Sequence, residues 1–214
     1  MNWIDIVLLV LLIAAVIVGS KKGLIRELTA LIVLSAAVII SVNYIDVISI
    51  KIYEMVGTSV LVTAILSFII LIAFIYAAFK LLGILFKKIA NLQQLGKKDQ
   101  LGGAFVGALR GWLIISFALF IVFLMPMPER FYTDFEESFL GPSFAKTLPL
   151  MYETTAGLHP DNTNFMEKVE NTLLQRPSSG SSESQKFRMA EDREQVYKII
   201  YQMDRFFGTS GGGL

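Results

Sequence analysis

The chain has 214 residues, of which 54% are hydrophobic and 17% charged, and its mean hydropathy is +0.61. Soluble domains carry about 25% charged residues, so this composition excludes an ordinary soluble domain and indicates a membrane protein. The sequence contains no cysteine, which excludes disulfides, thiolate chemistry and cysteine-ligated metals. A metal site usually needs two or more such ligands, so we interpret the single His159 as a loop or surface residue.

Charge divides the chain near residue 125. Residues 1–125 hold ten basic and five acidic residues, whereas residues 126–214 hold nine basic and thirteen acidic residues. We therefore predict an apolar, basic membrane domain over residues 1–125, followed by an acidic, polar tail.

Four apolar runs have the length of membrane spans, which take about 17–25 helical residues. They predict an all-α, polytopic membrane protein with spans at about residues 3–20, 26–44, 60–86 and 104–125. A signal peptide has basic residues before its apolar core. In the first run Lys21 and Lys22 follow the core instead, which favours a membrane helix.

The stretch Ile84–Leu95 has a different pattern. Leu85, Ile89 and Leu92 recur at helical spacing with polar residues between them. This spacing predicts an amphipathic helix that lies in the headgroup plane and ends at Gly96.

The distribution of basic residues predicts the orientation, because short loops rich in lysine and arginine stay in the cytoplasm. The loops after the first and third spans are basic, whereas the loop at about residues 43–59 holds only Lys51. We therefore expect both termini to be extracytoplasmic.

The tail is expected to have three parts. Residues 126–176 contain two amphipathic segments: Glu129–Leu140, with Phe131, Phe135 and Phe139 at steps of four, and Phe165–Leu174. We expect the first to rest on the outer membrane surface or on the bundle. Residues 177–186 have the composition of a flexible linker.

A final helix is predicted at about Met189–Phe207, within a last segment of residues 187–214. The sequence offers nothing to cover its apolar face, so we expect a partner protein, a second subunit or a membrane surface to do so. The residues of that face are Val196, Ile199, Ile200, Met203 and Phe207.

Glycines recur at steps of four in the first and last spans. Such glycines lie on one helix face and allow another helix to approach closely. We predict helix packing as their role, with a substrate-lining role as the alternative. The residues are Gly19, Gly23, Gly103, Gly107 and Gly111.

Four charged residues are candidates for intramembrane charges: Asp5, Lys22, Glu27 and Arg110. Charges inside a membrane usually face the bundle interior and have a partner. We predict that Arg110 pairs with Glu27, which begins the second span at the same depth. The alternative is that Arg110 reaches to the headgroup phosphates. Asp5 is interpreted as a helix-start carboxylate in the headgroup zone, or alternatively as a buried acid on a proton or substrate path.

The sequence contains none of the nucleophile, phosphate-loop, paired-histidine or dinucleotide motifs that mark common enzymes. The serines of the tail have no histidine–acid arrangement to activate them. We therefore expect no enzymatic activity and no cofactor, small-molecule substrate or nucleic-acid partner.

Two landmarks resemble the CvpA family, the colicin V production proteins. The first is Asn2-Trp-Ile-Asp5 followed by Gly19-Ser-Lys-Lys-Gly23 and Glu27, and the second is Gly102-Gly-Ala-Phe-Val-Gly107-Ala-Leu-Arg110-Gly111. The resemblance covers about residues 1–125. It implies a multi-pass protein of the bacterial inner membrane, linked to colicin V production at the export stage or through envelope upkeep.

Two functions follow from these expectations. The first is an accessory or scaffold factor that binds a second copy or a membrane-protein partner through its glycine faces and tail helix. The alternative is a small oligomeric channel or transporter, which requires the charged residues to line a wet path.

Overall fold

The computed structural model describes residues 2–87, 96–155, 157, 163–174 and 193–208. Within these residues every regular element is an α-helix, as predicted. The long helices are α1 (Trp3–Lys22), α2 (Leu24–Val56), α3 (Val60–Lys87) and α4 (Gly96–Phe123). The tail forms α5 (Glu129–Glu136), α6 (Gly141–Ala145), α7 (Thr147–Thr154), α8 (Phe165–Leu173) and α9 (Arg193–Phe207).

The four long helices are long and apolar enough to cross a membrane, which confirms the predicted architecture for the described part of the chain. Their outward faces carry many exposed large apolar side chains. A band of this kind on a soluble surface is costly, whereas lipid accommodates it. Examples are Val10, Ile17, Ile32, Ile70, Phe74 and Phe105.

The helices do not close into a symmetrical four-helix bundle. α4 lies between α1 and α2, and α3 packs on α2 rather than on α4. We call the end with Lys22 and Arg110 the basic end. The opposite end, where α1 begins and α4 finishes, is the cap end, because the tail helices pack there.

The expected loop at residues 43–59 is wrong, because α2 continues to Val56 and only residues 57–59 separate it from α3. The extension is stable because tail helices cover its polar side. Tyr152 donates a hydrogen bond to Oδ1 of Asn43 at 2.9 Å, and Nζ of Lys168 lies 3.3 Å from Oδ2 of Asp46. Gly57 ends the helix in a left-handed conformation, with φ +64°.

The third loop also differs from the prediction. Gly96 begins α4 instead of ending an interfacial helix, and α3 extends to Lys87. The remainder of the predicted interfacial helix, residues 88–95, lies outside the described residues. So do His159, the predicted linker at residues 177–186, the start of the last helix before Arg193, and residues 209–214.

The apolar face of α9 is covered by the chain itself, so the expectation of an external cover is wrong. Val196, Ile199, Met203 and Phe207 are buried in the core that also contains the half of α4 nearer the cap end. The rings of Phe120 and Phe207 lie 5.9 Å apart, and those of Phe123 and Phe206 lie 5.2 Å apart. Aromatic pairs at such edge-to-face distances are favourable beyond their buried area. The sequence could not reveal this cover because it comes from α4, α6 and α8, which are separate elements elsewhere in the chain.

The first amphipathic segment of the tail is shorter than predicted. α5 ends at Glu136, and Gly141 and Pro142 begin α6 instead of closing α5. Phe135 is fully buried, whereas Phe139 is 82% exposed. The predicted stripe therefore ends with Phe135. The stripe of α8 is buried as predicted, at Phe165, Val169 and Leu173.

Candidate functional site at the basic end of the membrane domain

The glycines of the two landmarks form one seam between α1 and α4. A Cβ added to Gly107 would lie 2.7 Å from Cα of Gly19, and one added to Gly103 would lie 2.8 Å from Cα of Gly23. Real Cβ atoms do not approach other atoms so closely, so the two backbones are in direct contact. Gly111 meets Cβ of Ala15, one turn further along. The glycines thus bring two helices together that are 75 or more residues apart.

The turn between α1 and α2 is held by the start of α4. Gly23 has φ +83°, a conformation that favours glycine. The backbone N–H of Leu24, which has no partner within its own helix, donates to Oδ1 of Asp99 at 2.8 Å. Asp99 therefore caps α2 from a distant part of the chain.

The ion pair between Arg110 and Glu27, which the sequence predicted, is present at the basic end. Nε of Arg110 lies 2.9 Å from Oε2 of Glu27, and Nζ of Lys22 lies 3.7 Å from Oε1 of the same carboxylate. Glu27 is completely buried, Arg110 is 13% exposed, and the Lys22 side chain is about half exposed. The buried carboxylate of Glu27 thus lies close to two cations, the largely buried Arg110 and the half-exposed Lys22.

This ion pair is close in distance but has poor hydrogen-bond geometry. Within the described residues, neither carboxylate oxygen of Glu27 nor Nε of Arg110 takes part in a well-aligned hydrogen bond. Burying a carboxylate is costly unless charges and hydrogen bonds compensate. The site therefore depends on its two cations.

Asp5 lies at the cap end, far from this cluster. It is 1% exposed and forms a capping box with Asn2 at the start of α1. Its Oδ1 accepts hydrogen bonds from the Ser138 hydroxyl at 2.6 Å and from the Leu140 N–H at 3.0 Å. Asp5 therefore caps the start of its helix, as predicted, and the α5–α6 connection covers its side chain.

A comparison with protein families gives the decisive observation. The sequence model described as "Colicin V production protein" matches residues 4–149. The chain belongs to the colicin V production protein family. The comparisons with curated proteins and with solved structures gave no match.

The family match extends further than the predicted 1–125, through α5 and α6 into α7. It therefore includes Ser138 and Leu140, the partners of Asp5. It also includes a segment that packs along the membrane part of α4. Ser116 of α4 donates to the Phe144 carbonyl at 2.6 Å, and Trp112 Nε1 donates to the Thr147 hydroxyl at 2.8 Å.

Those contacts place α6 and the start of α7 beside the middle of α4 rather than beyond its end. Ser116 and Trp112 precede the end of α4 by seven and eleven residues, which is about 10 and 16 Å along the helix. Carbonyls in the last turn of a helix need partners outside the helix, and the Ser116 hydroxyl supplies one for Phe144. This family segment was missed by sequence reasoning. The Gly141-Pro142 pair and the apolar stretch after it were its only sequence signals.

The structure thus brings Lys22, Glu27 and Arg110 together and leaves Asp5 apart. Seventeen residues of α1 separate Asp5 from Lys22, which is about 25 Å. The glycine faces and the apolar face of the tail helix, through which we expected partners to bind, are covered within the chain. No group of three or more metal-binding side chains occurs among the described residues.

Proposed function

We propose that this protein is an accessory or scaffold factor for toxin production or export and for envelope maintenance. The family match over residues 4–149 is the observation that carries this proposal. We place the protein in the bacterial inner membrane with both termini extracytoplasmic, because the basic end then faces the cytoplasm. The proposal assigns no enzymatic activity.

The contacts that the charged residues make within the chain support a scaffold rather than a transporter. Glu27 is engaged by two cations, and Asp5 by the hydroxyl and backbone donors of the tail. The direct backbone contact at Gly19 and Gly107 lies between the two sites and closes the α1–α4 boundary. These residues therefore hold helices together instead of lining one path.

Because the glycine seam and the α9 face are covered, a partner or second copy would contact other surfaces. The outer face of α1 is one such surface, since Val10, Ile13 and Ile17 are exposed along it. Cross-linking in native membranes from cysteines introduced at Ile13, followed by purification, identifies a neighbour of this face. A matched cysteine at the buried Leu8 is the control and should capture nothing.

Replacement of the resident family member in a colicin V-producing strain tests the toxin role. We expect this chain to restore toxin activity in the medium, and the ratio of secreted to cell-associated toxin separates export from synthesis. Arg110→Ala should fail to restore it, whereas Lys51→Ala, an exposed cation at the cap end, should restore it. If the chain reaches the membrane and secreted toxin stays at the deletion level, the toxin role is wrong.

Envelope maintenance is tested separately in the protein's own host. Deletion of the gene should increase entry of a dye that an intact envelope excludes, and the plasmid-borne gene should reverse this. Unchanged dye entry after deletion would remove the envelope role without affecting the toxin experiment.

The alternative function is a small oligomeric channel or transporter. A cavity of about 340 Å³ at the basic end, lined in part by Lys22, Glu27 and Arg110, favours it. Liposomes that contain only this protein separate the two functions. The scaffold predicts ion and solute flux equal to that of empty liposomes, whereas flux that Glu27→Gln abolishes would support the channel.

The orientation is tested with a reporter that is active only in the cytoplasm. Fusion after Leu214 should give an inactive reporter, and fusion after Leu95 should give an active one. Activity after Leu214 would refute the proposed topology.

A further inference from the structure

The cavity at the basic end lies between α3 and α4, with α2 as its floor. Its volume is about 340 Å³. α3 packs mainly on α2 and has few contacts with α4, so the space between α3 and α4 at this end is left open. Its lining comes from all four long helices: Lys22, Arg26, Glu27, Thr29, Ala30, Val33, Tyr76, Phe79, Lys80 and Arg110.

The rim of this cavity is strongly basic. Four of its lining residues are cations and one is an acid, so its net charge is positive. Lys22 and Arg110 are engaged by Glu27. Arg26 and Lys80 are exposed and form no ion pair with any described residue. Two cations thus face the cavity without a counterion in the described part of the protein.

Arg110 also has capacity for a ligand. Its Nε lies 2.9 Å from Oε2 of Glu27 but is not in a well-aligned hydrogen bond with a described residue. A guanidinium with two free N–H groups matches the oxygens of a phosphate. Glu27 therefore holds Arg110 in place and leaves its outer edge for an anion.

Below the rim the cavity is apolar. Ala30 and Val33 follow Arg26 on α2, and on α3 Tyr76 precedes Lys80 by about one turn, with Phe79 beside Lys80. Val33 is seven residues from Arg26, which is about 10 Å deeper along the helix. A basic rim above an apolar groove at the edge of a membrane has the polarity of a phospholipid, with a phosphate above and acyl chains below.

We infer that this cavity binds an anionic phospholipid, with its phosphate among Arg26, Lys80 and Arg110 and an acyl chain along Val33 and Phe79. A phospholipid headgroup and free phosphate would both present a phosphate anion to these cations. The apolar depth of the cavity favours a lipid over free phosphate. The two predictions for Arg110 are then compatible, because it pairs with Glu27 and also contacts a headgroup.

Native mass spectrometry of the full-length protein in detergent tests this inference. Short-chain phosphatidylglycerol is titrated, with phosphatidylcholine as the neutral comparison. We expect saturable, selective binding of phosphatidylglycerol. The double variant R26Q/K80Q should weaken it about thirtyfold, since each basic side chain near anionic lipid contributes about a factor of five. The matched control K21Q/K51Q removes the same charge outside the cavity and should bind normally.

A second variant makes the test independent of charge. Val33→Trp fills the groove without changing any charge, and it should also weaken phosphatidylglycerol binding. Thermal unfolding in the same detergent checks that each variant is folded. If the double variant is unfolded, the result for Val33→Trp decides.

Three results would overturn the inference. The first is equal binding of phosphatidylglycerol and phosphatidylcholine, which indicates a non-selective lipid layer. The second is unchanged binding in both R26Q/K80Q and Val33→Trp. The third is displacement of the lipid by inorganic phosphate at equal concentration, which identifies free phosphate as the ligand.

Discussion

Arg110 of α4 and Glu27 of α2 join their helices through a contact of 2.9 Å between Nε and Oε2, with the carboxylate completely buried. The two residues are 83 positions apart in the sequence. They face each other because the α1–α4 glycine seam and the Asp99 cap bring the starts of α2 and α4 to the same level.

Removal of one partner of this pair should destabilise the protein strongly. Glu27→Ala leaves Arg110 buried without a counterion, and the cost of breaking a buried pair is about 3–5 kcal/mol. A double-mutant cycle of Glu27→Ala and Arg110→Ala, measured by unfolding in mixed micelles, should give a coupling energy of about 0.5–3 kcal/mol. Additive effects would mean that the two residues do not interact.

The glycine seam should not tolerate a methyl group. In Gly107→Ala the new Cβ meets Cα of Gly19 at 2.7 Å, so α1 and α4 must separate. Such overpacking costs about 1–3 kcal/mol. Gly157→Ala is the control, because a Cβ there has no atom within 4 Å. An unfolding free energy that is equal for the two variants would contradict the direct backbone contact.

The Asp5 carboxylate should anchor the α5–α6 connection to α1. Asp5→Ala removes the Oδ1 oxygen that accepts from both the Ser138 hydroxyl and the Leu140 N–H, so both donors lose their partner, at a cost of about 2 kcal/mol each. Hydrogen exchange at residues 138–145 should become faster. Glu137→Gln, an exposed neighbour, should leave exchange unchanged. Equal exchange in wild type and Asp5→Ala would show that the anchor is unimportant.

The packing of α9 on the membrane domain can be tested by comparing a buried phenylalanine of α9 with an exposed phenylalanine elsewhere in the tail. Phe207 is fully buried and Phe139 is 82% exposed. Phe207→Ala should cost about 3–5 kcal/mol through the cavity that it leaves, whereas Phe139→Ala should stay within about 0.5 kcal/mol. Thermal unfolding of the purified protein measures both. A Phe207→Ala variant as stable as wild type would indicate that α9 does not pack on the membrane domain.

The pair Arg110–Glu27 could be predicted from the sequence because both residues stand at the same end of their spans, and a buried cation requires an acid. The glycine seam was accessible for a similar reason, since steps of four place glycines on one face. The partners of Asp5 were not accessible, because Ser138 and Leu140 lie in an irregular segment that has no periodic pattern.

The sequence by itself determined the helical class, the four apolar helices and most of their bounds. Those properties depend on local composition, and lipid requires that a chain of such composition satisfies its backbone hydrogen bonds within helices. Only the tertiary structure decided that α2 extends to Val56, that α6 and α7 lie beside Trp112, and that the chain covers the face of α9. Each of these depends on contacts between residues that are distant in sequence, whose energies no local pattern records. The same contacts leave the space between α3 and α4 open, and so create the basic cavity at the Arg110–Glu27 pair.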